Sequence, residues 1–300
     1  MTRLRLLDSL NRAVPGWAKR MAPASVKKGV RTALGGDEPP SVAPEPHFLE
    51  REHLPRTDYE TVWQARYATS EGERRQYLEA HRERYFELLN TLAWYLRDRE
   101  PGTRVLEVGV SEYVALYKHY FPGIRLFTLD RPLEHHGVDP DWCRQAARAE
   151  AHYALDLNAQ FPSPDWGEPP LGRFDFVIFT EVIEHLVVNP VELLESLLAL
   201  LAPQGLLYLT TPNFFRFESL EKFSRRENPQ AVYPRRGQNW DAHHHFREYC
   251  LSELQQFVAE AGGRILTHYY SACWDGPAIR AADPSLRSNI VLVIGSAAGA

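Results

Sequence analysis

The stretch Phe174 to Asn213, FDFVIFTEVIEHLVVNPVELLESLLALLAPQGLLYLTTPN, decides the fold. Phe174 to Phe179 is a continuous apolar run rich in Phe, Val and Ile, the composition of a strand buried on both faces rather than of an amphipathic helix. Thr180, Glu181, Glu184 and His185 follow at once, where the carboxyl end of a parallel strand opens into the ligand crevice of an open α/β sheet. Asn189-Pro190 reads as a helix N-cap with first-turn proline, and Leu193, Leu194, Leu197, Leu198 and Leu201 form the buried face of a helix that the pattern ends at Pro203. Gly205 turns the chain into a strand over Leu206 to Leu209. Strand, crossover helix and strand make one βαβ unit, right-handed by rule.

Upstream, Thr103 to Val110 (TRVLEVGV) reads as the first strand, with Gly109 at the turn into a helix beginning near Ser111. A glycine there lets the backbone pass close to a ligand, and the free amides of the helix favour a polar or anionic group. Ile124 to Leu129 is the second strand, and Asp130 at its end is placed to accept both hydroxyls of a ribose. Tyr153 to Leu155 is a short third strand ending in Asp156, placed to accept from an adenine amine. Taken singly, each Asp is equally a turn or cap residue; their order and strand-end positions together favour binding. Asp58 to Asp98 has a helical pattern, with Ser70 and Glu73 as a capping box and Tyr77, Leu78, Tyr85, Leu88, Leu89, Leu92 and Leu96 as the stripe that packs on one side of the sheet.

The 300 residues allow one large or two small domains, and the 44% hydrophobic content is ordinary for a soluble globular protein. The net charge of -5 hides an asymmetry. Residues 1–36 hold eight Lys/Arg and one Asp, +7, while the rest carries 26 basic and 38 acidic residues, -12. Within that tail Leu4, Leu7, Val14, Trp17 and Met21 form an apolar stripe, so residues 1–36 are a basic amphipathic segment suited to peripheral membrane association, docking on the parent domain, or nucleic acid. Residues 37–57, with five prolines, read as an extended linker, leaving 58–300 as the folded domain, its N-terminal helices in 58–98. Cys143, Cys250 and Cys273 are odd in number and lack CxxC spacing, which points to a reducing compartment. With neither an apolar run of about 18 residues nor a signal-like segment, the expected location is cytoplasmic, at the inner face of the membrane if the tail binds lipid.

These residues resemble the class I S-adenosylmethionine-dependent methyltransferases, over roughly Val105 to Ile294. LEVGV is similar to that family's first motif, LDR at Asp130 to its ribose-binding acid, LDLN at Asp156 to its adenine contact, and FDFVIFTEVIEHL with LLYLTTPN to its fourth and later motifs. EVIEHL is the most specific match. The resemblance implies an α/β fold, a Rossmann-like seven-stranded sheet with helices on both faces and the last strand antiparallel. It implies S-adenosylmethionine as cofactor, with Glu107, Gly109, Ser111, Asp130, Asp156, Leu157 and Glu181 as its contacts. The segment His243 to Gly263 is similar to the one in which a histidine and an aromatic precede the helix before the sixth strand. One departure stands out: the family's GxGxG reads Gly109, Ser111, Tyr113 here, so the methionine end of the cofactor is expected to meet bulkier groups.

The activity implied is methyl transfer, with His185 and Glu184 as the catalytic pair if the acceptor is a hydroxyl. One form is O-methylation of a glycan, lipid-linked sugar or other small metabolite. The other is that of the small-RNA 3′-terminal 2′-O-methyltransferases, in which a similar Glu-x-x-Glu-His binds a divalent metal; the matching set is Glu181, Glu184, His185 and His244. The negative main domain disfavours nucleic acid as partner. A nicotinamide oxidoreductase is disfavoured because GxGxxG is absent after Val108, and a binding protein without catalysis is the remaining alternative. Residues 214–241 interrupt the strand-helix alternation with Phe214, Phe215, Phe217, Phe223, Tyr233 and Trp240 among several arginines, as an acceptor-side lid or equally a surface helix and loop capping the sheet would. Arg235-Arg236 within them suits an acidic sugar, phosphate or pyrophosphate.

Overall fold

The computed structural model describes residues 52–99, 101–135, 137–230, 233, 244–280 and 283–296. The basic segment 1–36, most of the proline-rich stretch, and Arg235, Arg236 and Trp240 lie outside the described residues.

Seven strands among the described residues form one sheet: β1 (Arg104–Val108), β2 (Arg125–Asp130), β3 (Ala151–Ala154), β4 (Phe174–Thr180), β5 (Leu201–Pro212), β6 (Gly263–Ser271) and β7 (Asn289–Ser296). Their order is β3-β2-β1-β4-β5-β7-β6. The first five are parallel, while β7 runs antiparallel to both β5 and β6, as expected for the last strand. The helices are α1 (Arg56–Tyr67), α2 (Gly72–Leu96), α3 (Val114–Tyr120), α4 (Pro140–Ala146), α5 (Pro190–Ala199), α6 (Phe217–Ser224), α7 (Leu251–Glu260) and the short α8 (Pro277–Arg280).

Each buried strand serves two cores, because successive side chains point to opposite faces. On one face Tyr59, Trp63, Leu78, Tyr85 and Leu89 of α1 and α2 pack against Val105, Leu126, Phe176, Ile178 and Tyr208. On the other, Leu193, Leu194 and Leu197 of α5 and Leu254 and Val258 of α7 cover Leu106, Val108, Phe174, Val177, Phe179 and Leu207. The continuous apolar run of β4 is thus what a strand with two covered faces requires. The switch from β1 to β4 as neighbours, with β2 on the far side of β1, opens a crevice at the carboxyl ends of these strands.

Two helices fill the helical pattern of 58–98, the first starting at Arg56. Two local expectations need correction. Ser70 belongs to the turn closing α1, its amide donating to the Tyr67 carbonyl. The N-cap of α2 is Glu71 rather than Ser70, without a side-chain cap bond, and Gly72 at φ 59 turns the chain there. The α5 helix, capped as expected by Asn189 accepting from the Val191 amide, ends at Ala199 rather than at Pro203. Leu201 already pairs with Phe174 in the sheet, and residues 202–205 bulge before Leu206 resumes pairing with Phe176. Gly205 is obligatory in this bulge, since a Cβ would lie 2.8 Å from the Phe174 carbonyl oxygen. None of the three cysteines forms a disulfide among the described residues. Among the described residues, no helix is long and apolar enough to cross a membrane.

Candidate active site

At the ends of β1, β2 and β3 the crevice is built from backbone turns and strand-end acids. Gly109 has φ +78, and a Cβ on it would lie 2.3 Å from Val182 Cγ2, so glycine is required both for the turn and for the close passage of the loop after β4. The next amide, Val110, donates to Asp130 Oδ2 at 2.9 Å, and Arg131 donates to Oδ1 at 2.7 Å. Burial raises the Asp130 pKa against the pull of these two amides. Each oxygen keeps a second lone pair, which is what two ribose hydroxyls need. Asp156 follows β3, half-buried, with Oδ1 accepting from the Asn158 amide at 2.9 Å.

Three of the expected cofactor contacts sit differently. Glu107 is fully buried beneath the loop, where its Oε1 accepts from Ser111 Oγ and from the Tyr117 hydroxyl, both at 2.9 Å. It holds the loop from below rather than facing the crevice, and Ser111 is turned down to it. Burial pushes the Glu107 carboxyl up to about 8, and its Oε2 has no hydrogen-bond partner. The Leu157 side chain packs into the core on the α5 face, which leaves only its backbone for a ligand. Tyr113, expected to crowd the methionine end, points away: it stacks on Tyr85 with centroids 3.6 Å apart, donates to the Leu78 carbonyl, and accepts from Trp63 Nε1. In place of a glycine, position 113 carries a core aromatic that ties the loop to α1 and α2. The arrangement therefore fits a nucleoside cofactor, with a glycine turn at the end of β1, strand-end acids at β2 and β3 beside it, and Ser111 and Tyr113 both turned away from the crevice.

The ends of β4, β5 and β7 are built from ionisable side chains. Glu181 adopts a left-handed conformation at φ 55, and its Oε1 accepts from Thr210 Oγ1 at 2.6 Å and Asn289 Nδ2 at 2.9 Å while lying 3.2 Å from Arg84 Nη1 of α2. A 3-10 turn over Ile183–His185 then carries Glu184 inward and His185 to the crevice. Glu184 Oε2 accepts from Thr211 Oγ1 at 3.0 Å, whereas the buried Oε1 has no hydrogen bond and lies 3.9 Å from His185 Nε2. Burial pushes the Glu184 carboxyl up to about 7. His185 Nδ1 donates to the carbonyl of His244 at 2.9 Å, so the lone pair of the neutral ring is on Nε2. His245 packs its ring against His185 with centroids 4.9 Å apart, and its Nδ1 hydrogen-bonds Glu248 Oε1 at 3.0 Å. Burial raises the Glu248 carboxyl, but the hydrogen bonds from His245 and Arg216 outweigh it and hold the pKa below its ordinary value.

Of the four side chains considered for a metal, the structure gathers Glu184 and His185 and substitutes His245 for His244. The three offer ligand atoms within 4.8 Å of one another. His244 is excluded because consecutive residues of this segment face opposite ways: its ring is buried between Tyr233 and Phe246, and only its carbonyl meets His185. Glu181 is not part of this cluster; its Oε1 is tied to Arg84, Thr210 and Asn289. Sequence reasoning missed Arg84, Thr211, Asn289, His245 and Glu248. Two had signals: Arg84 is a cation next to the apolar stripe of α2, and Thr211 lies in the LLYLTTPN motif.

Residues 77–268 match a family model described as a methyltransferase domain. The chain belongs to this methyltransferase family. The methyltransferase uses S-adenosylmethionine, which supplies an electrophilic methyl group on a sulfonium centre. It is similar to the magnesium protoporphyrin IX methyltransferase of Synechocystis, solved with bound S-adenosylhomocysteine, at 14% identity and TM-score 0.46, covering 80% of this chain and 94% of that one. It is also similar to a TehB-like S-adenosylmethionine-dependent methyltransferase from Corynebacterium glutamicum, at 13% identity and TM-score 0.43, covering 80% of this chain and 97% of that one. No curated protein gives a significant match.

Proposed function

We propose that the methyltransferase O-methylates a small hydroxylated acceptor, a glycan, lipid-linked sugar or other small metabolite, with His185 as general base. The observation that carries this reading is the His185 tautomer: Nδ1 donates to the His244 carbonyl, so Nε2 faces Glu184 as the proton acceptor. An acceptor hydroxyl attacking the methyl carbon gives up its proton to Nε2, and the nearby Glu184 carboxylate stabilises the imidazolium formed. In-line transfer otherwise needs only that nucleophile and methyl be held in line and kept dry. The lipid-linked form draws on the basic amphipathic residues 1–36, which would hold the enzyme at an anionic surface. The test is S-adenosylhomocysteine release over a panel of hydroxylated acceptors, wild type beside His185→Ala; an enzyme that methylates only amines or thiols would sink the proposal.

A competing reading rests on the grouping of Glu184, His185 and His245, a mixed imidazole and carboxylate set suited to Mn, Fe, Co or Zn. A cation there would orient the acceptor oxygen and lower its pKa, replacing the base role of His185. Elemental analysis and activity after exhaustive chelation separate the two, since the base mechanism survives chelation and the metal mechanism does not.

A further inference from the structure

A second cleft lies away from the crevice, between α1, α3 and α4. Its volume is about 300 Å³, and Arg66, Lys118, His119 and Arg148 line it together with Ala115 and Pro122. Lys118 donates to the carbonyl of Ile124 just before β2, and Arg148 stands just before β3, so both mark the amino ends of these parallel strands, opposite the crevice. Among the described residues, no acidic side chain lines the cleft. That composition runs against the rest of the domain. Beyond residue 36 the chain carries 26 basic and 38 acidic residues, so a cation normally finds a carboxylate. Arg56 of α1, Arg125 of β2 and Arg144 of α4 pair with Glu83, Glu150 and Asp141. Among the described residues, Arg66, Lys118 and Arg148 have no such ion pair. Glu150, held below its ordinary pKa by its bond to Arg125 and, less, by the field of Lys118, is already taken.

We propose that this cleft binds a phosphate-bearing anion, a phosphomonoester or diphosphate, at a site separate from methyl transfer. The carbonyl ends of α1, α3 and α4 offset about half a unit of this charge each, less than the three permanent cations bring. Arg148 follows the end of α4 in a left-handed conformation, φ 56, where glycine is the usual residue; the chain puts a guanidinium there instead. Two guanidinium groups present paired N–H donors to phosphate oxygens, and the Lys118 ammonium keeps two donors after its bond to Ile124. Because Arg66 and Arg148 are exposed, the attraction is screened by salt, and the site is one of moderate affinity.

The test is calorimetric titration of the full chain with pyrophosphate at low ionic strength, wild type beside the double substitution Arg66→Ser with Arg148→Ser. The basic residues 1–36 also attract pyrophosphate, and their share is the binding that both proteins retain. At the cleft the double variant is expected to lose about 10-fold or more in affinity, the lower bound for hydrogen bonds to charged groups. Thermal unfolding checks that the variant is folded; should it not be, Arg148→Ser alone, at an exposed position, carries the same comparison. Vesicles of phosphatidylcholine with phosphatidic acid, titrated in the same way, separate the sources of the phosphate. A loss confined to pyrophosphate assigns the cleft to a soluble phosphate compound, and a loss on vesicles assigns it to a lipid headgroup. Equal affinity of wild type and variant in both titrations, or no binding by wild type in either, overturns the proposal.

Discussion

The two halves of the crevice are built by different physics. At β1 to β3 the groups are Gly109, Asp130 and Asp156, set by backbone turns and by short hydrogen bonds from amides one or two residues from a strand end, except for the Val110 bond that ties β1 to β2. At β4, β5 and β7 the groups are Arg84, Glu181, Glu184, His185 and His245, drawn from segments far apart in sequence and held by side-chain bonds such as Thr211 to Glu184 and Asn289 to Glu181. In the function proposed, the first half binds a ligand common to the family and can be local, whereas the other places protons and charges for one reaction and needs buried ionisable groups; burial has raised the pKa of Glu184 to about 7.

The largest difference between the halves is expected at His185. His185→Ala should lower the rate of methyl transfer by about 10²- to 10⁴-fold, the range for losing a general base, with S-adenosylhomocysteine affinity unchanged in calorimetry. A variant that loses affinity and rate together would place His185 in the cofactor half. Asp130→Ala is the converse: roughly 1.5 to 3 kcal/mol of S-adenosylhomocysteine binding should go, without a change in the pH profile of the bound enzyme. A similar affinity in wild type and variant would remove the ribose role.

The pH dependence of stability sharpens the contrast further. Glu107 and Glu184 have folded pKa values of about 8 and about 7, above the ordinary carboxylate value of 4.5. The folded state thus binds more protons than the unfolded chain between pH 4.5 and about 8. Their stabilising contribution is complete below pH 4.5 and is lost as pH rises through 7 to 8. The slope is at most ~1.4 kcal/mol per pH unit for each group. Thermal unfolding of Glu107→Gln between about pH 6.5 and 8.5 should show a flatter decline than wild type; an identical slope would mean that Glu107 is ionised in the folded protein. The smallest effect expected is at the N-terminus. Deleting residues 1–36 should leave cofactor affinity intact and remove salt-sensitive binding to anionic vesicles, and equal vesicle binding by both proteins would end the membrane proposal.

Composition and periodicity were enough for the strands β1 and β4, the Asn189-capped helix, and the positions of Gly109, Asp130 and Asp156, while the antiparallel last strand came from the family resemblance. These follow from which side chains avoid water and which residues tolerate a turn, and both are properties of short stretches. Boundaries were less legible where tertiary contacts override local preference: Leu201 fits the leucine stripe of α5, yet it joins the sheet because Phe174 offers it a strand partner. Only the folded chain could choose His245 over His244, because neighbouring residues of an extended segment face opposite ways and the packing against Tyr233 and Phe246 decides which one goes inward. Likewise Tyr113 reads as an obstacle in the glycine loop and proved to be core, since its ring found Tyr85 and Trp63 on helices 28 and 50 residues away. Arg84 carried no motif at all. Its place beside Glu181 exists only because α2, packed on one face of the sheet, brings it to the end of β4, and a charge's partner depends on distance in space rather than along the chain.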